Sequence, residues 1–207
     1  MPCLILPKSQ FLHIPKTGGK WVQQALQAGG VEFEEWSVTH CDVRSAPYPE
    51  RFTFSFVRNP LTWWQSVWRY GMVRKTRNQS IWPPFRETLL GESFGEFIED
   101  VLAEHNGLCS RVFANFTGQF VGKQESLAED LVRALTAAGE TFNEGRIMAE
   151  PPYHLTDKSF DTCYTPELMA AVIMAERDAI GRFGYGEDCE RMIVKAEKCY
   201  QPDQQGL

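Results

Sequence analysis

The chain has 207 residues, of which 43% are hydrophobic and 13% aromatic, so it can bury one sizeable core. Its net charge of −6 argues against general nucleic-acid binding, and no apolar run reaches membrane-spanning length. We therefore expect one domain over residues 1–207, cytoplasmic and without membrane contact, with a loose polar tail from about residue 200. The six cysteines form no C-x-x-C pair, which predicts free thiols rather than a zinc site or a disulfide framework.

The first predicted element is an apolar run over 11–14 that breaks at Pro15, passes through Gly18 and Gly19, and resumes with helical spacing from Trp21. This pattern predicts a strand, a tight loop and a helix. The N–H groups of such a loop and of the first helical turn point the same way, where the helix dipole adds positive charge. A phosphate group fits there.

The side chains of this loop suit an anion. Gly18 and Gly19 let the main chain approach the ligand without a Cβ, and Lys16 and Lys20 supply ammonium donors. The alternative is an ordinary strand-to-helix turn with solvated lysines.

A nucleoside-triphosphate loop needs G-x-x-x-x-G-K-[ST]. Here Ile14 replaces the first glycine and Trp21 replaces the hydroxyl residue that would hold magnesium. A magnesium-dependent kinase is therefore disfavoured.

The segment Pro15–Gly19 resembles the 5′-phosphosulfate loop of sulfotransferases that use 3′-phosphoadenosine 5′-phosphosulfate, particularly the Pro-Lys-Thr-Gly-Gly form of carbohydrate-type enzymes. The resemblance implies that Lys16 is catalytic and that the donor is bound by Lys16, Thr17, Gly18, Gly19, Lys20 and Trp21.

Two positions bear on this assignment. Lys20 stands where the family usually has Thr or Ser, which puts donor affinity in doubt. Trp21 matches the tryptophan that stacks on adenine in the cytosolic branch. Its spacing with Ala25 and Leu26 equally suits the first core contact of the helix.

A loose strand pattern over 31–38 precedes His40. A histidine at a strand end could take the proton that an acceptor hydroxyl loses on sulfuryl transfer. Related carbohydrate sulfotransferases use a histidine as base, which implies the same role for His40. A packing role is the alternative, and Glu35 and His105 are other candidate bases.

The second motif is an alternating aromatic strand over 52–57, followed by Arg58 and by a helix that Asn59 can cap, with Pro60 in its first turn. The tryptophans of that helix are expected in the core. Arg58 and Ser66, eight positions apart, could close on one small anion. This spacing resembles the 3′-phosphate site of sulfotransferases.

Later patterns predict a helix capped by Ser93, a strand over 118–122, a helix that begins at Lys123 and turns Leu127 and Leu131 inward, and a last helix over 187–198. The segments 121–131 and 164–185 resemble the later parts of carbohydrate-type sulfotransferases. The resemblance therefore runs from about residue 10 to 186.

Together these patterns predict an α/β domain, a P-loop-like three-layer sandwich whose central, mostly parallel sheet is flanked by helices. The expected activity is transfer of a sulfonate from 3′-phosphoadenosine 5′-phosphosulfate to an acceptor hydroxyl, on a carbohydrate or a small alcohol, without a metal. A nucleotide-binding protein without transferase activity and a P-loop nucleotide kinase are the alternatives. The sequence leaves the acceptor and the oligomeric state open.

Overall fold

The computed structural model describes residues 2–39, 42–77, 79, 91–152 and 159–199, with helices and strands in α/β combination. His40 and the predicted tail lie outside these residues. The described helices are α1 (Gly19–Ala28), α2 (Pro60–Thr76), α3 (Phe94–Glu104), α4 (Leu108–Phe116), α5 (Leu127–Ala138), α6 (Glu144–Met148), α7 (Pro166–Ala175), α8 (Arg177–Arg182) and α9 (Gly186–Cys199).

The chain forms two compact units, each built from two separate segments. The first unit consists of Met1–Arg58 and Arg111–Leu155, and the second of Asn59–Ser110 and Thr156–Leu207. The described sheet belongs to the first unit, whereas the second unit is helical where the structure describes it.

The sheet of the first unit contains the strands β1 (Pro2–Ile5), β2 (Ser9–Phe11), β3 (Glu34–Thr39), β4 (Phe52–Val57) and β5 (Phe120–Lys123). Their order is β3-β1-β2-β4-β5. β1 is antiparallel to both β2 and β3, whereas β2 is parallel to β4 and β4 to β5. The sheet is thus mixed, and the prediction of a mostly parallel sheet is not confirmed.

The reason for the mixed pairing is a tight reversal before β2, the strand that precedes α1. Ile5 pairs with Gln10, and the Leu6 N–H donates to the Ser9 carbonyl at 2.9 Å, so the chain turns back at Pro7 and Lys8. β2 therefore has β1, the strand that immediately precedes it in sequence, as its antiparallel partner. The sequence analysis did not predict this partner.

Helices α1, α5 and α6 contribute to one hydrophobic core with the sheet. Phe54 and Phe56 alternate with Ser55 along β4, so both rings enter this core, as a strand period of two requires. Helices α1 and α5 follow β2 and β5, so this packing fixes where each helix begins relative to the strand ends.

The second unit confirms two helix starts expected from the sequence. The Asn59 side chain accepts a hydrogen bond from Leu61 N, and Ser93 and Glu96 form a capping box. Thr165 caps α7, which the sequence analysis did not predict. The tryptophans of α2 are buried, as predicted: Trp63, Trp64 and Trp68.

Two further findings concern membranes and cysteines. None of the helices in the described ranges is long and apolar enough to cross a membrane. Cys3 is disulfide-bonded, whereas Cys109, Cys163 and Cys189 are free thiols. The expectation of free thiols is therefore wrong for Cys3, because a pairing between cysteines distant in sequence leaves no local pattern.

Candidate functional site

The loop between β2 and α1 turns sharply at two left-handed residues. Leu12 N–H donates to the Phe54 carbonyl at 2.9 Å, which extends the pairing of β2 with β4 by one residue. Lys16 then has φ 68° and Gly18 has φ 90°. The buried Thr17 hydroxyl donates to the Ile14 carbonyl at 2.8 Å, so this hydroxyl is used inside the loop.

A left-handed backbone is easy for glycine but strained for lysine. It costs a non-glycine residue on the order of 1–3 kcal/mol. Among the described residues, Lys16 is the non-glycine residue with a positive φ, so the strain falls on the residue for which a catalytic role is predicted. Such strain is concentrated at functional sites in proteins.

Helix α1 begins directly after this turn, and its N-terminus is electropositive. Gly18 occupies the N-cap and provides no side-chain hydrogen bond, and the first turn contains no acidic residue. The dipole of this ten-residue helix is therefore not offset by an acidic side chain in its own first turn. This geometry favours a bound anion at the loop.

The two glycines of the loop are required by packing within the protein. A Cβ on Gly18 would lie 2.6 Å from Leu127 Cδ2, and a Cβ on Gly19 would lie 2.1 Å from His13 Cδ2. Both distances are shorter than a carbon–carbon contact allows. The sequence analysis explained these glycines by close approach of a ligand, and it missed His13, whose buried ring lies directly against the start of α1.

Three cations are close together around the loop. An Arg58 guanidinium N–H donates to the Lys16 carbonyl at 3.4 Å, although Arg58 follows β4 rather than β2. Burial lowers the pKa of Lys16 from 10.5 to about 8, with the charges of Arg58 and Lys20 acting in the same direction. A pKa depressed by burial and like charges is typical of a functional site.

The parallel strands explain why Arg58 and the loop meet. The pairing of β2 with β4 aligns Phe11 with Phe54, and that of β4 with β5 aligns Val57 with Lys123. The chain therefore leaves all three strands at the same edge of the sheet, the carboxyl edge, where α/β proteins bind their ligands. The structure therefore brings Lys16, Lys20 and Arg58 near one another, and their role in binding one ligand stays a prediction.

Trp21 lies in the core. Its side chain is 7% exposed, it packs in the cluster that contains Val22 and Ala25, and its indole N–H donates to the Glu150 carbonyl at 3.4 Å. This placement corresponds to the core alternative that the sequence left open. Adenine stacking on Trp21 stays a prediction, and it would require the indole to leave these contacts.

The remaining predicted residues are not brought to the loop by the described structure. Ser66 belongs to the second unit, where it is buried in α2, so its joint action with Arg58 stays a prediction. His40 lies outside the described residues. Across the described ranges, no three His, Cys, Asp or Glu side chains lie together as metal ligands would.

Comparison of the chain with protein-family models, curated proteins and solved structures gave no match. The functional assignment therefore rests on the motifs and on the geometry of the loop.

Proposed function

We propose that this chain is a sulfotransferase that moves a sulfonate group from 3′-phosphoadenosine 5′-phosphosulfate to an acceptor hydroxyl on a carbohydrate or small alcohol. The observation that supports it is the cation cluster of Lys16, Lys20 and Arg58 at the N-terminus of α1. A tight group of like charges suits a ligand that carries several negative charges, as this donor does.

The proposal includes the finer fold assignment, a P-loop-like three-layer sandwich. It is supported by the parallel part of the sheet, β2, β4 and β5, and by the loop that joins β2 to α1. The alternative of a magnesium-dependent kinase is less well supported. In a magnesium-dependent kinase, a Ser or Thr whose hydroxyl binds the magnesium ion follows the loop lysine. Trp21 occupies that position here, and its side chain is in the core.

The reaction is an in-line transfer between two oxygens. The bond from sulfur to the bridging oxygen breaks as the acceptor oxygen bonds to sulfur, and the electron pair stays on the departing nucleotide. Lys16 would neutralise the charge that develops on the bridging oxygen, and such electrostatic stabilisation is a large catalytic term. His40 would accept the acceptor's proton. Arg58 and, from its spacing in sequence, Ser66 would bind the 3′-phosphate.

The compartment is a separate question. A cytoplasmic location is the expectation from sequence, but the disulfide at Cys3 is evidence against it, because disulfides rarely persist where thiols are kept reduced.

Thermal unfolding with nucleotides tests the donor assignment. We expect 3′-phosphoadenosine 5′-phosphate to raise the Tm without magnesium, whereas ATP with magnesium should do little. At one hundred times its Kd, the bisphosphate should add about 2.7 kcal/mol to the free energy of unfolding. Equal stabilisation by both would favour the kinase. Binding of the bisphosphate without turnover, across acceptors tested with labelled donor, would favour a binding protein without activity.

A further inference from the structure

Gln124, which follows β5, lies beside Arg58, which follows β4. Val57 and Lys123 are paired in the parallel register, so Arg58 and Gln124 occupy neighbouring positions just past the two strands. Phe56 pairs with Gly122, and a Cβ on Gly122 would meet both the Phe56 ring at 2.6 Å and Asp130 Cβ of α5 at 2.8 Å. Gln124 begins a 3-10 helix, Gln124–Ser126, directly after β5, as Arg58 follows directly after β4.

Contacts with the phosphate loop agree with this placement. The Gln124 Cγ lies 3.7 Å from the Cβ position of Gly18, which is ordinary van der Waals distance. Arg58 reaches the same loop through its hydrogen bond to the Lys16 carbonyl. The loop thus has an arginine and a glutamine beside it, and both lie at the carboxyl edge of the sheet.

The turn that carries Gln124 is fixed by a buried carboxylate. Asp130, 2% exposed, accepts hydrogen bonds from Lys123 N at 2.6 Å and from Ser126 Oγ at 3.0 Å, and it pairs with Arg133. Gln124 lies between the two residues that Asp130 holds. Its backbone is therefore set by the fold, which lowers the entropic cost of using its side chain for binding.

We propose that Gln124 is a binding residue of the site, whose amide N–H donates to an oxygen of the anionic group bound at the loop. The proposal rests on the proposed function, because it takes the loop to be the seat of the donor's 5′ group. A neutral amide contributes a donor next to Lys16, Lys20 and Arg58 without introducing a negative charge that would compete with the ligand. A carboxylate of the same size would compete.

The test compares two variants with a charge-matched control. Gln124→Met removes the amide and keeps a side chain of similar length beside the loop, whereas Gln124→Glu adds a negative charge there. Gln27→Glu makes the same charge change near the other end of α1, about 12 Å along the helix from Gly19. Because salt at 0.1 M screens charges beyond roughly 10 Å, this change should have little effect at the loop. Calorimetry measures the affinity of each for 3′-phosphoadenosine 5′-phosphate and for inorganic pyrophosphate.

We expect Gln124→Met to weaken the binding of both probes about tenfold, as loss of a hydrogen bond to a charged group does, and Gln124→Glu to weaken it about a hundredfold or more. Gln27→Glu should stay within about twofold of wild type. The Tm of each unliganded variant establishes that it is folded. If both Gln124 variants bind the two probes as tightly as Gln27→Glu does, the proposal is overturned.

The two probes separate this proposal from the donor assignment. The wild type could bind pyrophosphate but not the bisphosphate nucleotide. If the Gln124 variants then bound pyrophosphate more weakly, the result would support the role of Gln124 and refute the donor assignment. Binding of neither probe by the wild type would refute both.

Discussion

Glu176 and Lys16 are two charged residues in very different surroundings. Glu176 lies in the second unit, 1% exposed, and its carboxylate accepts hydrogen bonds at 2.7–3.3 Å from Ser110 Oγ, Ser110 N, Cys109 N and Trp64 Nε1. Lys16 lies in the first unit, where burial and two neighbouring cations lower its pKa to about 8.

The difference separates a buried charge that the fold compensates from one that it does not. Donors from the backbone and side chains stabilise Glu176, so the fold itself compensates for its burial. The charge of Lys16 is opposed first by burial and then by the charges of Arg58 and Lys20, so it destabilises the unliganded fold. An anion that binds at the loop would offset that contribution.

The largest effect is expected at Glu176. Glu176→Gln replaces an acceptor-only group with one that also carries donors, so some of the N–H groups around it lose their acceptor. We expect the free energy of unfolding to fall by about 4 kcal/mol, the sum of weakened charge-assisted hydrogen bonds, measured by urea denaturation. Glu187→Gln, on an exposed residue that pairs with Arg191, should change it by less than about 0.5 kcal/mol. A similar small change for Glu176→Gln would contradict its structural role.

The opposite sign is expected at Lys16. Lys16→Met keeps the aliphatic stem and the side chain at φ 68° but removes the charge. A pKa lowered from 10.5 to about 8 corresponds to about 3 kcal/mol, so at pH 7 the variant should be more stable than wild type by up to that amount. It should also lose affinity for 3′-phosphoadenosine 5′-phosphate.

The pH dependence provides the control for this prediction. Between pH 8 and 10.5 the folded wild type loses the Lys16 proton while the unfolded chain keeps it, so wild-type stability rises with pH relative to Lys16→Met. Above pH 10.5 the advantage of the variant should disappear. A stability difference that does not change with pH would show that the charge of Lys16 is not its cause.

A smaller effect is expected at Gly19, where packing rather than charge is tested. Gly19→Ala places a Cβ 2.1 Å from His13 Cδ2 and should cost about 1–3 kcal/mol of stability. When His13→Ala has removed the ring, adding Gly19→Ala should cost less stability than it does in the wild type. Gly181→Ala is the matched control, because no atom lies within 4 Å of its Cβ position, and it should not destabilise. Additive effects at residues 13 and 19 would exclude their coupling.

Local signals predicted the parts of the fold that depend on neighbours in sequence. Asn59 and Ser93 cap their helices because a short polar side chain needs only the next turn to satisfy its hydrogen bond. The aromatic alternation of β4 likewise follows from the period of a strand.

Contacts between distant residues could not be predicted in the same way. Periodicity allowed Trp21 to face either a ligand or the core, and its placement in the core depends on partners distant in sequence, such as Glu150, 129 residues later. His13 gave no signal, because its contact with Gly19 depends on the angle at which α1 leaves the loop. The direction of β1 depends on pairing, which a four-residue apolar run does not specify.

The tight reversal at Pro7 and Lys8 has a consequence for the order of folding. β1 and β2 are joined by two residues beyond the paired Leu6 and Ser9, so this hairpin can close locally, within microseconds. Forty residues, 12–51, separate β2 from β4, and the parallel pairs must overcome the entropy of closing long loops. The strand that presents the loop is therefore expected to find its antiparallel partner first, and the edge that gathers Arg58 and Gln124 is completed last.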